Sequence, residues 1–400
     1  MKSTTIAQPT RRPAIVLLAL AYVGFISLGL PDGLLGVGWP SIRETFGLPL
    51  DALGALLATF TAGYLVSGFM SGRVLARLGV GTLLALSGLA TASSLLGYAV
   101  SPAWWLIVAL GALAGLGAGA IDAGLNTYVA THHSARTLNW LHACFGLGAT
   151  IGPLVMTTVL QNDLLWRWGY VVVGTAQLAL AACFVATRTW WETPGASQET
   201  ALAAPASAAS MGSTLRLPAA WFAILLFFLY TGIEVAAGQW SFTLFTTSRA
   251  VPPATAGVWI SMYWGSLMVG RILFGIFVGV APLRTLLRWS LGTIVVGALL
   301  VWLNVADLLS FVGLALMGLA LAPVFPSLIS TTPQRLGAAH AANGVGFQIA
   351  AAGLGASMLP GAVGVLASRT SIEVVGPVLV VASVALFTLF EVLERRSPPT

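Results

Sequence analysis

The sequence predicts an all-α integral membrane protein, with twelve transmembrane helices in two pseudo-symmetric six-helix bundles. Three observations predict it. The 400 residues are 58% hydrophobic and 8% charged, with a mean hydropathy of +0.92. A soluble domain carries about 25% charged residues, so lipid must cover most of a chain this poor in polar surface. Apolar runs of about 20 residues, the length that crosses a bilayer, recur along the whole chain. The second half also repeats short motifs of the first in the same order.

The predicted spans lie at about 14–38, 51–72, 79–99, 103–129, 138–161, 167–187, 217–247, 255–279, 283–303, 307–330, 340–367 and 371–391. Span 1 carries Phe25-x-x-x-Gly29, then Asp32 and Trp39; span 7 answers with Phe228-x-x-x-Gly232, then Glu234 and Trp240. Gly63-x-x-x-x-Gly68 in span 2 is answered by Gly265-x-x-x-x-Gly270 in span 8. Gly146-Leu147-Gly148-Ala149 followed by Pro153 in span 5 is answered by Gly353-Leu354-Gly355-Ala356 followed by Pro360 in span 11. Two repeated halves around a central site are a recurring plan of secondary transporters. The stretch 190–216, rich in Ala, Ser, Thr, Pro and Gly, reads as a flexible linker. The organisation is then a bundle over 1–189, a cytoplasmic linker over 190–216 and a second bundle over 217–400.

Arginine and lysine set the orientation. With the N-terminus in the cytoplasm, thirteen basic residues fall on the cytoplasmic side and four (Arg43, Arg167, Arg249, Arg369) on the other. This is the positive-inside bias expected for an even number of spans with both termini inside. The expected location is a cell membrane, of the bacterial inner-membrane kind. The forty-five glycines suit close helix packing in lipid. Trp39, Trp104, Trp105, Trp166, Trp168, Trp190 and Trp191 lie near span ends, where an aromatic belt sits.

Other function classes fall away. The net charge of +6 is scattered over short loops with no basic stripe, which argues against nucleic acid. Cys144 and Cys183 both lie in spans and read as packing residues, with no disulfide or metal spacing. No phosphate loop or nucleophile motif is present, so the reading is not an enzyme, with no cofactor, and with energy taken from a gradient. The implied partners are a small polar solute, protons and the bilayer, with the chain acting as a monomer.

Three acids lie inside spans: Asp32, Asp122 and Glu234. An ionisable group there costs at least about 2.5 kcal/mol on insertion scales and normally faces a cavity or a partner. Asp32 stands between Pro31 and Gly33, where a kink can open backbone carbonyls to a cavity. Asp122 and Asn126 are four apart on one helix face, and Asn139 and His142 are three apart on the next helix. The two pairs are expected to meet, with His142 titrating or tuning Asp122. Each acid has a bland alternative, a structural bond to a neighbouring helix. Arg271 in span 8 could pair with Glu234 or hold the empty state of a carrier. Gln239, Trp240, Asn343 and Gln348 are candidate solute contacts, and Trp140, Trp259, Tyr263, Trp264 and Gln177 weaker ones. Amides also serve as interhelical glue, at about 0.6 kcal/mol on average.

This pattern resembles the major facilitator superfamily over nearly the whole chain. The family's loop between spans 2 and 3, Gly-x-x-x-Asp-Arg-x-Gly-Arg-Arg/Lys, appears as Gly68-Phe-Met-Ser-Gly72-Arg73-Val-Leu-Ala-Arg77. Arg73 and Arg77 keep its basic character as gating candidates, but Gly72 replaces the aspartate of its gating pair. The chain looks most like the fucose:proton symporter branch, which includes glucose and galactose carriers. The carrying stretches are Gly119-Ala-Ile-Asp122-Ala-Gly-Leu-Asn126, Leu138-Asn139-x-x-His142-x-x-Phe145-Gly146, Tyr230-x-Gly232-x-Glu234, Gly270-Arg271 and Ala322-Pro323-x-x-Pro326. The resemblance implies that Asp32 and Asp122 serve proton coupling and sugar hydroxyls. His142 and Gly146 stand near the branch's span 5 amides, so fucose specificity does not carry over. The expectation is proton-coupled symport of a sugar or similar small polar solute by alternating access. The alternative is proton-driven efflux of drugs or metabolites, since Gly148-x-x-x-Gly152-Pro153 partly matches the antiporter signature. Sodium coupling remains a variant.

Overall fold

The structure, a computed structural model, describes residues 11–191, 209–277 and 281–396. Its helices are α1 (Arg11–Phe46), α2 (Leu53–Val100), α3 (Trp104–His132), α4 (Ala135–Gln161), α5 (Arg167–Thr187), α6 (Met211–Leu215) and α7 (Pro218–Thr243). They continue as α8 (Pro253–Phe277), α9 (Leu283–Leu303), α10 (Asp307–Leu321), α11 (Val324–Ser330), α12 (Thr332–Leu336), α13 (Ala338–Arg369) and α14 (Val375–Arg396). Most of the predicted linker lies outside the described residues.

Ten helical stretches among the described residues are long and apolar enough to cross a membrane. One of these runs through α2 and contains two predicted spans. Its break is Gly79 at φ 74°, a conformation that glycine adopts without a steric penalty. The 25-residue helix α8 stands where span 8 is predicted. Among the described residues this arrangement is consistent with the twelve spans read from the sequence.

Helix bounds differ from the predicted ones most clearly at span 1. Span 1 was expected to end near residue 38, yet α1 continues through Pro31 and Pro40 to Phe46. A proline deletes one backbone donor, and packing against neighbouring helices holds the rest of the helix together.

The bundles repeat in their packing. In the first, α1 lies against α4, and α2 against α3 and α5. In the second, α7 lies against α13, α8 against α10, and α9 against α10 and α14. The repeated glycines make the equivalent crossings possible. A Cβ added at Gly148 would strike the Ile26 carbonyl, and one at Gly355 the Phe228 carbonyl. The GLGA motif is therefore a close-approach site between the first and fifth helices of each half.

The belt assignment holds only in part. Trp105, Trp168 and Trp190 are exposed, as a belt requires. Trp39, Trp166 and Trp191 are buried instead. Trp166 Nε1 donates to Thr45 Oγ1 at 2.9 Å and Trp191 Nε1 to Thr187 Oγ1 at 3.1 Å. A buried indole usually finds such a partner; Trp166 fastens the start of α5 to α1, whereas Trp191 bonds back to the end of α5 and Trp39 Nε1 has no partner among the described residues.

The bundles meet through α1 with α7, α2 with α13, and α4 with α8. Contacts gather toward the face away from the chain termini. There Gly54 faces Gly361, Gly36 faces Gly238, and Gly257 faces Thr157. Ser261 Oγ donates to the Thr150 carbonyl at 2.6 Å. Toward the terminal face, Gly68 and Gly72 on α2, Gly275 on α8 and Gly346 on α13 have open space beside them. The bundles thus touch at the distal face, while these four glycines toward the terminal face pack against nothing.

Candidate functional site

The three intramembrane acids take three different environments. Asp122 on α3 is held by neutral donors: Tyr64 Oη donates to Oδ2 at 2.7 Å and Asn126 Nδ2 to Oδ1 at 2.9 Å. Asn126 is the i+4 partner that the sequence predicts. Tyr64 reaches Asp122 because α2 and α3 run in close contact. A Cβ on Gly119 would stand 2.7 Å from the Tyr64 carbonyl, so glycine sets the approach one turn from the acid. The expected meeting of Asp122 with His142 does not occur in this state. His142 sits edge-on to Phe25 at 5.4 Å, while α2, not α4, supplies the partner of Asp122. The side chain of Asn139 lies outside the described residues.

Asp32 on α1 lines a cavity of about 70 Å³ inside the first bundle. Its carboxylate has no hydrogen-bond partner among the described residues, while its backbone carbonyl accepts from Gln239 Nε2 at 3.1 Å. Gln239 is therefore a bond between bundles, from α7 to α1, rather than a free solute contact. Its Oε1 is buried without a donor.

Glu234 on α7 belongs to a cluster in the second bundle. Tyr230 Oη donates to its Oε2, and Tyr263 Oη donates to its backbone carbonyl at 2.8 Å. Arg271 Nη2 stands 3.9 Å from Oε1, at the long limit of an ion pair. The arginine side chain is 20% exposed and the glutamate 9%, so the cation is the more open of the two. Tyr64 and Tyr230 were not singled out from sequence as partners of these acids. Tyr230 had a signal, its i,i+4 spacing to Glu234. Tyr64 had none, being 58 positions from Asp122.

The remaining candidates are engaged elsewhere. Trp240 is fully buried and donates to the Pro360 carbonyl at 2.9 Å, tying α7 to α13. Gln348 accepts from Thr332 Oγ1 at 3.0 Å within the second bundle. Asn343 donates to the Ala209 carbonyl at 2.8 Å and to Thr214 Oγ1 at 3.2 Å, holding α6 against α13. Trp259 stacks on Phe311, and Trp140 is exposed. Arg73 and Arg77 are exposed and make no ion pair among the described residues. Cys144 and Cys183 are free thiols.

The model of the Major Facilitator Superfamily matches residues 21–360. The human protein named sodium-dependent glucose transporter 1 is 24% identical over 331 residues, covering 72% of this chain and 62% of the relative. Its mouse counterpart, sodium-dependent glucose transporter 1A, is 23% identical over 303 residues, covering 65% of this chain and 68% of that one. The Saccharomyces cerevisiae bypass of stop codon protein 6 is 28% identical over 186 residues, spanning 44% of this chain and 37% of that one. The chain thus spans under two thirds of the yeast and human relatives. Among solved structures, a D-xylose-proton symporter superposes with a TM-score of 0.73 at 14% identity, covering 93% of this chain and 97% of that one. A nucleoside transporter NupG mutant gives 0.76 at 13% identity, covering 94% and 99%. At such identities the likeness is one of fold. With the family model spanning both bundles, the chain belongs to the Major Facilitator Superfamily.

Proposed function

We propose that the protein is a proton-coupled symporter of a sugar or similar small polar solute, working by alternating access. One observation carries this reading. Asp122 lies in a membrane helix, bonded to a tyrosine hydroxyl and an amide, with no ion pair among the described residues. A carboxylate held by neutral donors can take up a proton and release it without breaking an ion pair. Asp32 is the second coupling candidate. Glu234 is the third, with Arg271 as its charge partner. Asn126, bonded to Asp122, and His142 are the candidates for solute hydroxyls in this bundle.

In this reading the termini lie in the cytoplasm, so the face where the bundles touch is the outer one. The carrier works as a monomer in the cell membrane. Relatives named for sugar transport support a polar solute. The efflux reading rested on Gly148, Gly152 and Pro153. Those residues pack α4 against α1, at Ile26, Leu30 and Gly33, which any carrier with these bundles needs. They give efflux no preference.

The test is uptake of radiolabelled monosaccharides into proteoliposomes under an imposed pH gradient, with choline in place of sodium. Accumulation of at least one sugar is expected. Transport that requires sodium, or proton-driven efflux of lipophilic cations with no sugar uptake, overturns the reading.

A further inference from the structure

At the terminal face the two bundles handle their arginines differently. In the second bundle, the first turns of α9 meet acids from the last turns of α14. Arg288 holds Glu391 with two bonds, Nε to Oε1 at 2.5 Å and Nη2 to Oε2 at 2.7 Å. Glu394 takes Arg284 Nε at 3.1 Å and Arg335 Nη2 at 2.6 Å. The chain neutralises these three arginines itself.

The equivalent elements of the first bundle are spans 3 and 6, which correspond to spans 9 and 12. There the end of α5 carries Arg188 where α14 carries its acids, and Arg77 precedes the break at Gly79. Both arginines are exposed, and neither makes an ion pair among the described residues. The described part of the first bundle has no acid on its terminal face. Glu44, Asp51 and Asp163 lie at the distal face, and Asp32 and Asp122 lie within the spans.

The turn Arg188–Trp190 is fixed in place. A Cβ on Gly81 would strike the Arg188 carbonyl, so the turn lies directly against α2. Arg77 is four residues before Gly81, a stretch of at most about 14 Å, which two long side chains can bridge by sharing one anion. Trp191 anchors the turn from behind, with its ring 4.7 Å from Tyr128 and 5.9 Å from Phe184. Trp190 beside it is exposed, as indoles at headgroup level are. The turn thus presents a cation and an interfacial ring together.

Two guanidiniums without an acid take their counter-ion from outside. Their forked donors match the paired oxygens of a phosphate, and anionic headgroups attract cations beside membrane spans. We propose that Arg77 and Arg188 bind the phosphate of an anionic lipid headgroup at the end of the first bundle. The inference holds whichever solute is carried. In the orientation proposed above, the lipid belongs to the cytoplasmic leaflet.

Purified protein in neutral detergent is supplemented with phosphatidylglycerol or phosphatidylcholine and heated. Phosphatidylglycerol is expected to raise the unfolding midpoint by roughly 2–4 °C over phosphatidylcholine, as a ligand of the native state does. Arg77→Gln combined with Arg188→Gln removes most of this increment. Arg288→Gln leaves it, because that guanidinium already holds Glu391. Arg188→Glu copies the second bundle and is expected to raise the midpoint in phosphatidylcholine while abolishing the increment, a result that no folding defect can mimic. Equal midpoints in the two lipids, an increment that survives the double glutamine variant, or an equal rise with inorganic phosphate overturns the proposal. Glu192 and Glu199 of the linker lie outside the described residues. If Glu192→Gln with Glu199→Gln lowers the midpoint in phosphatidylcholine as far as the double arginine variant does, the linker is the counter-ion and the proposal falls. Sugar uptake reports separately on the transport reading, so the two can fail independently.

Discussion

At the scale of single residues, Asp122 and Tyr64 carry the sharpest consequences. Asp122→Asn keeps the shape and the bond to Tyr64 but removes the ionisable oxygen. Uphill, gradient-driven accumulation should vanish while solute exchange across an equilibrated membrane persists. Unchanged accumulation, measured in proteoliposomes, removes Asp122 from coupling. Tyr64→Phe deletes only the hydroxyl that donates to Asp122 at 2.7 Å. A bond to a charged group is worth about 1.5–3 kcal/mol, so accumulation should fall at least about tenfold with the fold intact. Wild-type uptake would make Tyr64 a packing residue. The sequence made the Asp122–Asn126 pair legible because helical periodicity places i and i+4 together. Tyr64 was illegible because its contact depends on how α2 and α3 cross. The amides show the opposite failure. Asn343, Gln348 and Gln239 looked like solute ligands, but an amide in a span has the same letter whether it meets a sugar or a helix. Only the hydrogen bonds to Ala209, Thr332 and Asp32 distinguish these cases.

At the scale of helices, the repeated motifs turn out to encode contact rather than chemistry. GLGA in α4 and α13 recurs because each half needs its first and fifth helices almost touching. That is why the repeat was legible: backbone approach permits no residue but glycine. Gly148→Val and Gly355→Val should each lower the thermal unfolding midpoint in detergent, with a cost of about 1–3 kcal/mol or more from overpacking. Gly68→Ala, on the same kind of helix but with open space beside it, should leave the midpoint unchanged or slightly raised. Equal losses at all three positions would show that glycine serves helix flexibility here and not close packing. Span limits were less legible, since Pro31 and Pro40 lie inside α1 and a proline's local effect is outweighed by contacts with five neighbouring helices.

At the scale of the whole molecule, the distal seal is the feature that alternating access must break. The seal is made by small residues facing one another across α2 and α13, α1 and α7, and α4 and α8. Glycine at these points lets the bundles close without a gap and part without pulling apart interlocked side chains. A large ring placed there should hold the distal face open. At Gly361, whose added Cβ would lie 3.6 Å from the Gly54 Cα, tryptophan cannot fit in the sealed state. Gly361→Trp should therefore reduce sugar uptake to background while leaving binding from the distal side intact. The state can be read directly. Ser261 is 4% exposed and bonded across the interface to the Thr150 carbonyl. In a background with Cys144 and Cys183 replaced by serine, Ser261→Cys should resist an impermeant thiol reagent applied at the distal face. Adding Gly361→Trp should make the same thiol react at least about tenfold faster, because 1.4 kcal/mol of bias toward the open form is a tenfold change in population. Equal labelling with and without the tryptophan, alongside lost uptake, would mean that the substitution damages the fold and that the seal at Gly54 and Gly361 is not the gate.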